Sequence, residues 1–164
     1  MAATYEPIAT VTASGGSSSQ LVMSSIPSTY TDLVLVCSIN YDSTSSNILL
    51  RYNGDSGSNY STTLIAGNGS SATSARYSNS SSGWLTDYYG GTANEPFTKI
   101  IHIMNYANTT TYKTALGRSS AASREAEAGV GLWRSTSAIT SITLISGANF
   151  NSGSTFTLYG IKAA

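Results

Sequence analysis

The chain is short of charge. Only 10% of its 164 residues are Asp, Glu, Lys or Arg, against about a quarter in an ordinary globular chain. Eight basic residues cancel eight acidic ones, and the bases are scattered as Arg51, Arg76, Lys99, Lys113, Arg118, Arg124, Arg134 and Lys162. No basic patch can displace counterions from phosphate, which argues against a nucleic-acid partner. No polybasic run serves an anionic membrane either. Low charge weakens repulsion between copies, which suits a protein that works inside an assembly. Cysteine is nearly absent: Cys37 is alone, so no intramolecular disulfide framework can form. Its place in Leu33-Val34-Leu35-Val36-Cys37 reads as a buried small hydrophobe. No segment approaches the roughly 18 apolar residues of a membrane helix. The opening Met1-Ala2-Ala3-Thr4-Tyr5-Glu6-Pro7 lacks the basic and apolar regions of a secretory leader. Synthesis in the cytosol is expected, with release by lysis or on a particle.

Catalytic signatures are equally sparse. His102, the one histidine, sits between Ile101 and Ile103 and faces away from both on a strand. No Gly-x-Ser-x-Gly elbow accompanies it, so a structural histidine is expected. The acids are Glu6, Asp32, Asp42, Asp55, Asp87, Glu95, Glu125 and Glu127. Glycan cleavage needs two carboxylates about 5–10 Å apart across a cleft, and nothing in the spacing makes these converge. Glu125 and Glu127 share one face of a strand and read as a solvated edge. Asp55, Gly57 and Asn59 have the spacing that opens a calcium loop, but the second acid and the closing Glu are missing. A tight loop capped by Asp and Asn side chains is expected instead. There is no Walker loop, dinucleotide fingerprint or His/Cys metal spacing. The expectation is a protein that is not an enzyme and uses no cofactor or metal.

What the chain does contain is short apolar runs between polar clusters. The runs are Leu33–Cys37, Ile48–Tyr52 before the turn Asn53-Gly54, Ile100–Met104, Thr111–Leu116, Val130–Trp133, Ile139–Ile145 and Thr155–Ile161. Phe156, Leu158 and Ile161 could share a face if Gly160 permits a bulge. Ser, Asn, Gly and Thr clusters, such as 14–19 and 79–83, are the loops. The stretch from Gly67 to Gly83 reads as a mobile surface excursion. The window 121–128 could make one helical turn, an exposed loop or a strand end. Nine or ten closely spaced strands predict an all-β antiparallel sandwich, jelly-roll-like. The expected organisation is an N-terminal arm over 1–7 and a single domain over 8–164. Eleven tyrosines and two tryptophans among Ser, Gly and Asn form the composition of a binding surface. Trp133 reads as core. Tyr5, Pro7, Arg76, Tyr77, Trp84, Tyr88 and Tyr89 are the candidate contact residues.

Several phrases together resemble a known family. They include Tyr5-Glu6-Pro7-Ile8-Ala9-Thr10, Ser25-Ile26-Pro27-Ser28-Thr29-Tyr30-Thr31-Asp32-Leu33 and Arg51-Tyr52-Asn53-Gly54-Asp55. They continue with Met104-Asn105-Tyr106, Gly131-Leu132-Trp133-Arg134 and Gly153-Ser154-Thr155-Phe156-Thr157-Leu158-Tyr159-Gly160-Ile161-Lys162. From about residue 4 onward the chain resembles virion proteins of tailed phages, marine and cyanobacterial ones among them. The resemblance implies a β-sandwich exposed on the particle, with no catalytic residues to carry over. It implies a capsid decoration or cement subunit bound to the major capsid protein as a homotrimer. A receptor-binding fibre tip that recognises a host surface glycan or protein is the alternative.

Overall fold

A computed structural model describes residues 4–16, 18–44, 47–83, 88–122 and 124–162. Eleven strands run in chain order: β1 (Tyr5–Thr12), β2 (Gln20–Met23), β3 (Asp32–Ile39), β4 (Ile48–Tyr52), β5 (Tyr60–Gly67), β6 (Ala72–Ser80), β7 (Phe97–Met104), β8 (Lys113–Ala121), β9 (Glu125–Trp133), β10 (Ile142–Ser146) and β11 (Thr155–Ile161). They form an antiparallel, jelly-roll-like sandwich. One sheet has eight strands in the order β1-β11-β3-β7-β8-β9-β5-β6, and the other has three in the order β2-β10-β4.

Side-chain alternation builds the core. Leu33, Leu35, Cys37 and Ile39 of β3 and Ile101 and Ile103 of β7 point inward from the large sheet. Ile48, Leu50 and Tyr52 of β4, Ile142 and Leu144 of β10 and Met23 of β2 meet them from the small one. Aromatic pairs close the two ends. Tyr52 and Trp133 pack at 5.4 Å between centroids, and Phe150 and Phe156 at 5.0 Å edge to face, within the range at which such pairs add to area burial. Cys37 is fully buried as expected, and burial pushes its thiol up to about 12 despite nearby Lys99.

Three local expectations are corrected and one open alternative is decided. Residues 5–7 are no arm: Tyr5, Glu6 and Pro7 pair with Ile161, Gly160 and Tyr159 as the start of β1. Pro7 has no N–H to donate, and such a residue is tolerated on an edge strand. The bulge lies there, between Pro7 and Ala9, and not at Gly160. β11 runs in unbroken register along β3, so Ile161 faces outward. The 67–83 stretch is mostly β6, paired with β5. Its entry turn is held by Asn68, whose Oδ1 accepts from Ser70 N at 3.0 Å and Ser71 N at 2.8 Å. Of the alternatives left open for 121–128, the strand end is the one found: β8 and β9 pair as far as Ala121–Glu125.

Candidate docking face

One face of the eight-stranded sheet packs on the core, and the other is open. The register aligns its outward residues in rows. One row reads Thr10, Thr157, Val36, Ile100, Arg118, Ala128, Ile65, Ser74. The next reads Pro7, Tyr159, Val34, His102, Leu116, Val130, Thr63, Arg76. A polar margin of Thr12, Thr155, Ser38, Thr98 and Ser120 borders the first row. The middle of the face is therefore aliphatic. Leu116, Val130 and Ile65 are 51%, 52% and 63% exposed. A contiguous exposed apolar patch of this kind marks an interaction surface, where isolated apolar residues would mean nothing.

The face is hollowed. A groove of about 350 Å³ is lined by Tyr5, Val34, Ile100, His102, Leu116 and Arg118. Tyr5 on β1 and Ala128 on β9 share this groove, although five strand spacings, about 24 Å if flat, separate those strands. The sheet must curl to bring them together. Polar groups are few. His102 Nε2 and Asp32 Oδ2 are 2.8 Å apart, and Asp32 Oδ1 accepts from Asn105 N at 2.7 Å. His102 is thus a hydrogen-bonded member of the groove wall. Arg118 and Arg76 are exposed.

The anticipated contact residues divide between places. Tyr5, Pro7 and Arg76 lie on this outer face, but at its opposite edges, β1 and β6. Tyr77 is half-buried on the inner side of β6. Trp84 lies outside the described residues. Tyr88 and Tyr89 stack edge to face at 5.0 Å on a loop over the other side of the sheet. That loop is pinned from beneath, which corrects the reading of Glu125 and Glu127 as a solvated edge. Both are buried, because the β8–β9 register turns the odd-numbered residues of β9 inward. Glu127 Oε1 accepts from Tyr88 N at 2.8 Å and Tyr89 N at 3.4 Å. Arg124 donates to the carbonyls of Tyr89 and Gly90 and pairs with Glu125 at 3.2 Å and Glu95 at 3.6 Å. These carboxylates are engaged in holding the loop.

Asp55 caps its own loop as expected. It accepts from Gly57 N at 2.8 Å, Asn59 Nδ2 at 2.9 Å and the buried Trp133 Nε1 at 2.7 Å. Burial pushes its carboxyl up, but the bonds from Trp133, Asn59 and Gly57 outweigh that and hold it below the usual range.

Sequence reasoning missed Leu116, Val130, Ile65 and Arg118 as surface determinants. A signal was present: Leu33–Cys37 and Ile100–Met104 are almost continuously apolar, whereas a strand with one wet face alternates.

No protein-family model and no curated protein matches the chain. Among solved structures it is similar to an alginate lyase in complex with alginate tetrasaccharide, at 10% identity and a TM-score of 0.35 over 80% of this chain and 68% of that one. It is also similar to a SAP-like pentraxin from Limulus polyphemus, at 8% identity and a TM-score of 0.31 over 93% and 94%. A Shewanella oneidensis protein of unknown function follows at 8% identity and a TM-score of 0.27 over 98% and 77%. Likeness this distant says nothing of activity.

Proposed function

We propose that the chain is a non-enzymatic surface protein of a tailed-phage virion, a decoration or cement subunit that binds the major capsid protein across capsomers. The observation that supports it is the exposed aliphatic band Ile65–Val130–Leu116 across the open sheet, which half-buried Ile100 extends. A lone sandwich with such a face gains free energy by covering it. Bound only to the assembled shell, it stabilises that state by linkage. A homotrimer at a symmetry axis belongs to the same proposal.

The second reading is a receptor-binding tip. It is favoured by the Tyr88–Tyr89 pair, held on a loop that Glu127 and Arg124 fix in place. Rigid aromatics on a pinned loop suit recognition of a host surface glycan or protein. Immunogold labelling of intact virions separates the two. Dense label over the head supports decoration, label at a fibre end supports the tip, and no label overturns both.

A further inference from the structure

We infer that the groove on the open sheet docks an aliphatic protein surface that carries a carboxylate, and that Arg118 is the residue that receives it. The inference rests on the docking role proposed above and assigns its chemistry.

Three observations carry it. The first is charge. Among the described residues, every carboxylate is already bonded within the chain. Glu6 pairs with Lys162, Asp32 with His102, Asp42 with Asn149 and Asp55 with Trp133, while Glu95, Glu125 and Glu127 hold the 88–95 loop. The cations are engaged likewise, through Arg51 to Ser81 O, Lys113 to two carbonyls, Arg134 to Ser58 and Asn79, and Lys162 to Glu6. Arg118 and Arg76 make no hydrogen bond or ion pair among the described residues, and both stand on the open face. Both guanidiniums are therefore open to an anion brought by a partner. A second copy pairing face to face would bring Arg118 towards Arg118 and offer only Asp32, which is already taken.

The second observation is the floor. Val34, Ile100, Leu116 and Ala128 surround Arg118 in the groove. Desolvation there strengthens a guanidinium–carboxylate pair and penalises unpaired hydroxyls. A glycan brings many hydroxyls, and the middle four strands of the two rows offer them only Arg118 and His102, the other polar residues (Thr10, Thr157, Tyr159, Thr63, Ser74 and Arg76) lying towards the edges. Aliphatic side chains fit the floor. The third is area. Eight strands about 4.8 Å apart with four outward positions about 6.8 Å apart make a face of about 700 Å². A standard protein–protein interface buries about 800 Å² per partner.

Two measurements test this. In an NMR titration, phenylacetate is expected to shift the amides of Leu116, Arg118 and Val130 and to bind at least tenfold more tightly than neutral phenylacetamide. Arg118→Gln should erase that difference. Equal binding of the two probes, or shifts confined to other strands, overturns the inference. In the second, the protein is added to emptied head shells. Arg118→Glu should bind about ten- to a hundredfold more weakly, since a charged hydrogen bond is lost. Val22→Glu, on the exposed side of the small sheet, should bind as wild type. Arg118→Glu binding at wild-type strength overturns the inference and leaves decoration standing. Shells left bare by the wild type defeat decoration, and the titration alone then decides the groove. A dimer in sedimentation that Arg118→Glu dissolves, or tighter binding of host glycan than of shells through this face, also overturns it.

Discussion

Gly160→Ala is expected to destabilise the chain, although alanine is ordinarily the better residue in a strand. A Cβ at position 160 would lie 2.3 Å from Cγ of Tyr30 and 2.4 Å from both its Cδ atoms. Ordinary carbon contacts are about 3.5 Å or longer, so the ring must retreat by about 1 Å. It is poorly placed to do so. Tyr30 Oη donates to Glu6 Oε2 at 3.2 Å, and Lys162 Nζ sits 5.8 Å from the ring centroid. Overpacking of this kind costs about 1–3 kcal/mol, which in a chain of this size lowers Tm by about 2–12 °C. The decisive assay is a double-mutant cycle read by urea and thermal unfolding. With Tyr30→Ala in the background the clash is gone, and Gly160→Ala should turn neutral or stabilising by about 0.4–1 kcal/mol through the unfolded state. An equal loss in both backgrounds would refute the steric argument and move the cause to the backbone.

Asp55→Ala should cost about 1–3 kcal/mol in urea unfolding, because it orphans the buried indole N–H of Trp133. Acid should weaken the fold. The bond from Lys162 lowers Glu6 from 4.5, and Asn149 lowers Asp42 from 3.8; hydrogen bonds that outweigh burial lower Asp55 from 3.8. A depressed folded value gives stability that is present above the unfolded value and lost as pH falls through the folded one, so the urea midpoint should drop below about pH 4. Asp55→Asn should flatten that drop; an unchanged slope would clear Asp55 of the effect. Cys37, buried with its thiol pushed up to about 12, should ignore a disulfide reagent in the native protein and react fully in denaturant. Leu116→Glu and Val130→Glu should leave stability within about 0.5 kcal/mol while abolishing docking; a large loss of Tm would mean the open face is structural.

Seven of the eleven strands, β3, β4 and β7–β11, were legible from residue patterning alone, and so were the turn at Asn53-Gly54 and the Asp55 cap. Each depends on near neighbours: alternation along a strand, positive φ at Asn53 (53°) and Gly54 (70°), and bonds from Asp55 to residues two and four positions away. β6 was not legible. Its residues, Ala-Thr-Ser-Ala-Arg-Tyr-Ser-Asn-Ser, carry no apolar alternation, and β5 supplies the backbone partner that makes them a strand. Glu125 and Glu127 could not be placed either. Glu127 is buried under a loop about forty residues earlier, whose backbone N–H groups it satisfies, and Glu125 pairs with Arg124, which holds the same loop by its carbonyls.

Sequence by itself determined that this is a sparsely charged, net-neutral, all-β chain without an internal disulfide and with a buried Cys37 and Trp133, because composition and local periodicity suffice for that. Only the tertiary structure decided which of the apolar residues stay outside. Leu116, Val130 and Ile65 are as hydrophobic as their buried neighbours. They are exposed because eight strands in one register present two faces, and the three strands of the small sheet lie on only one of them.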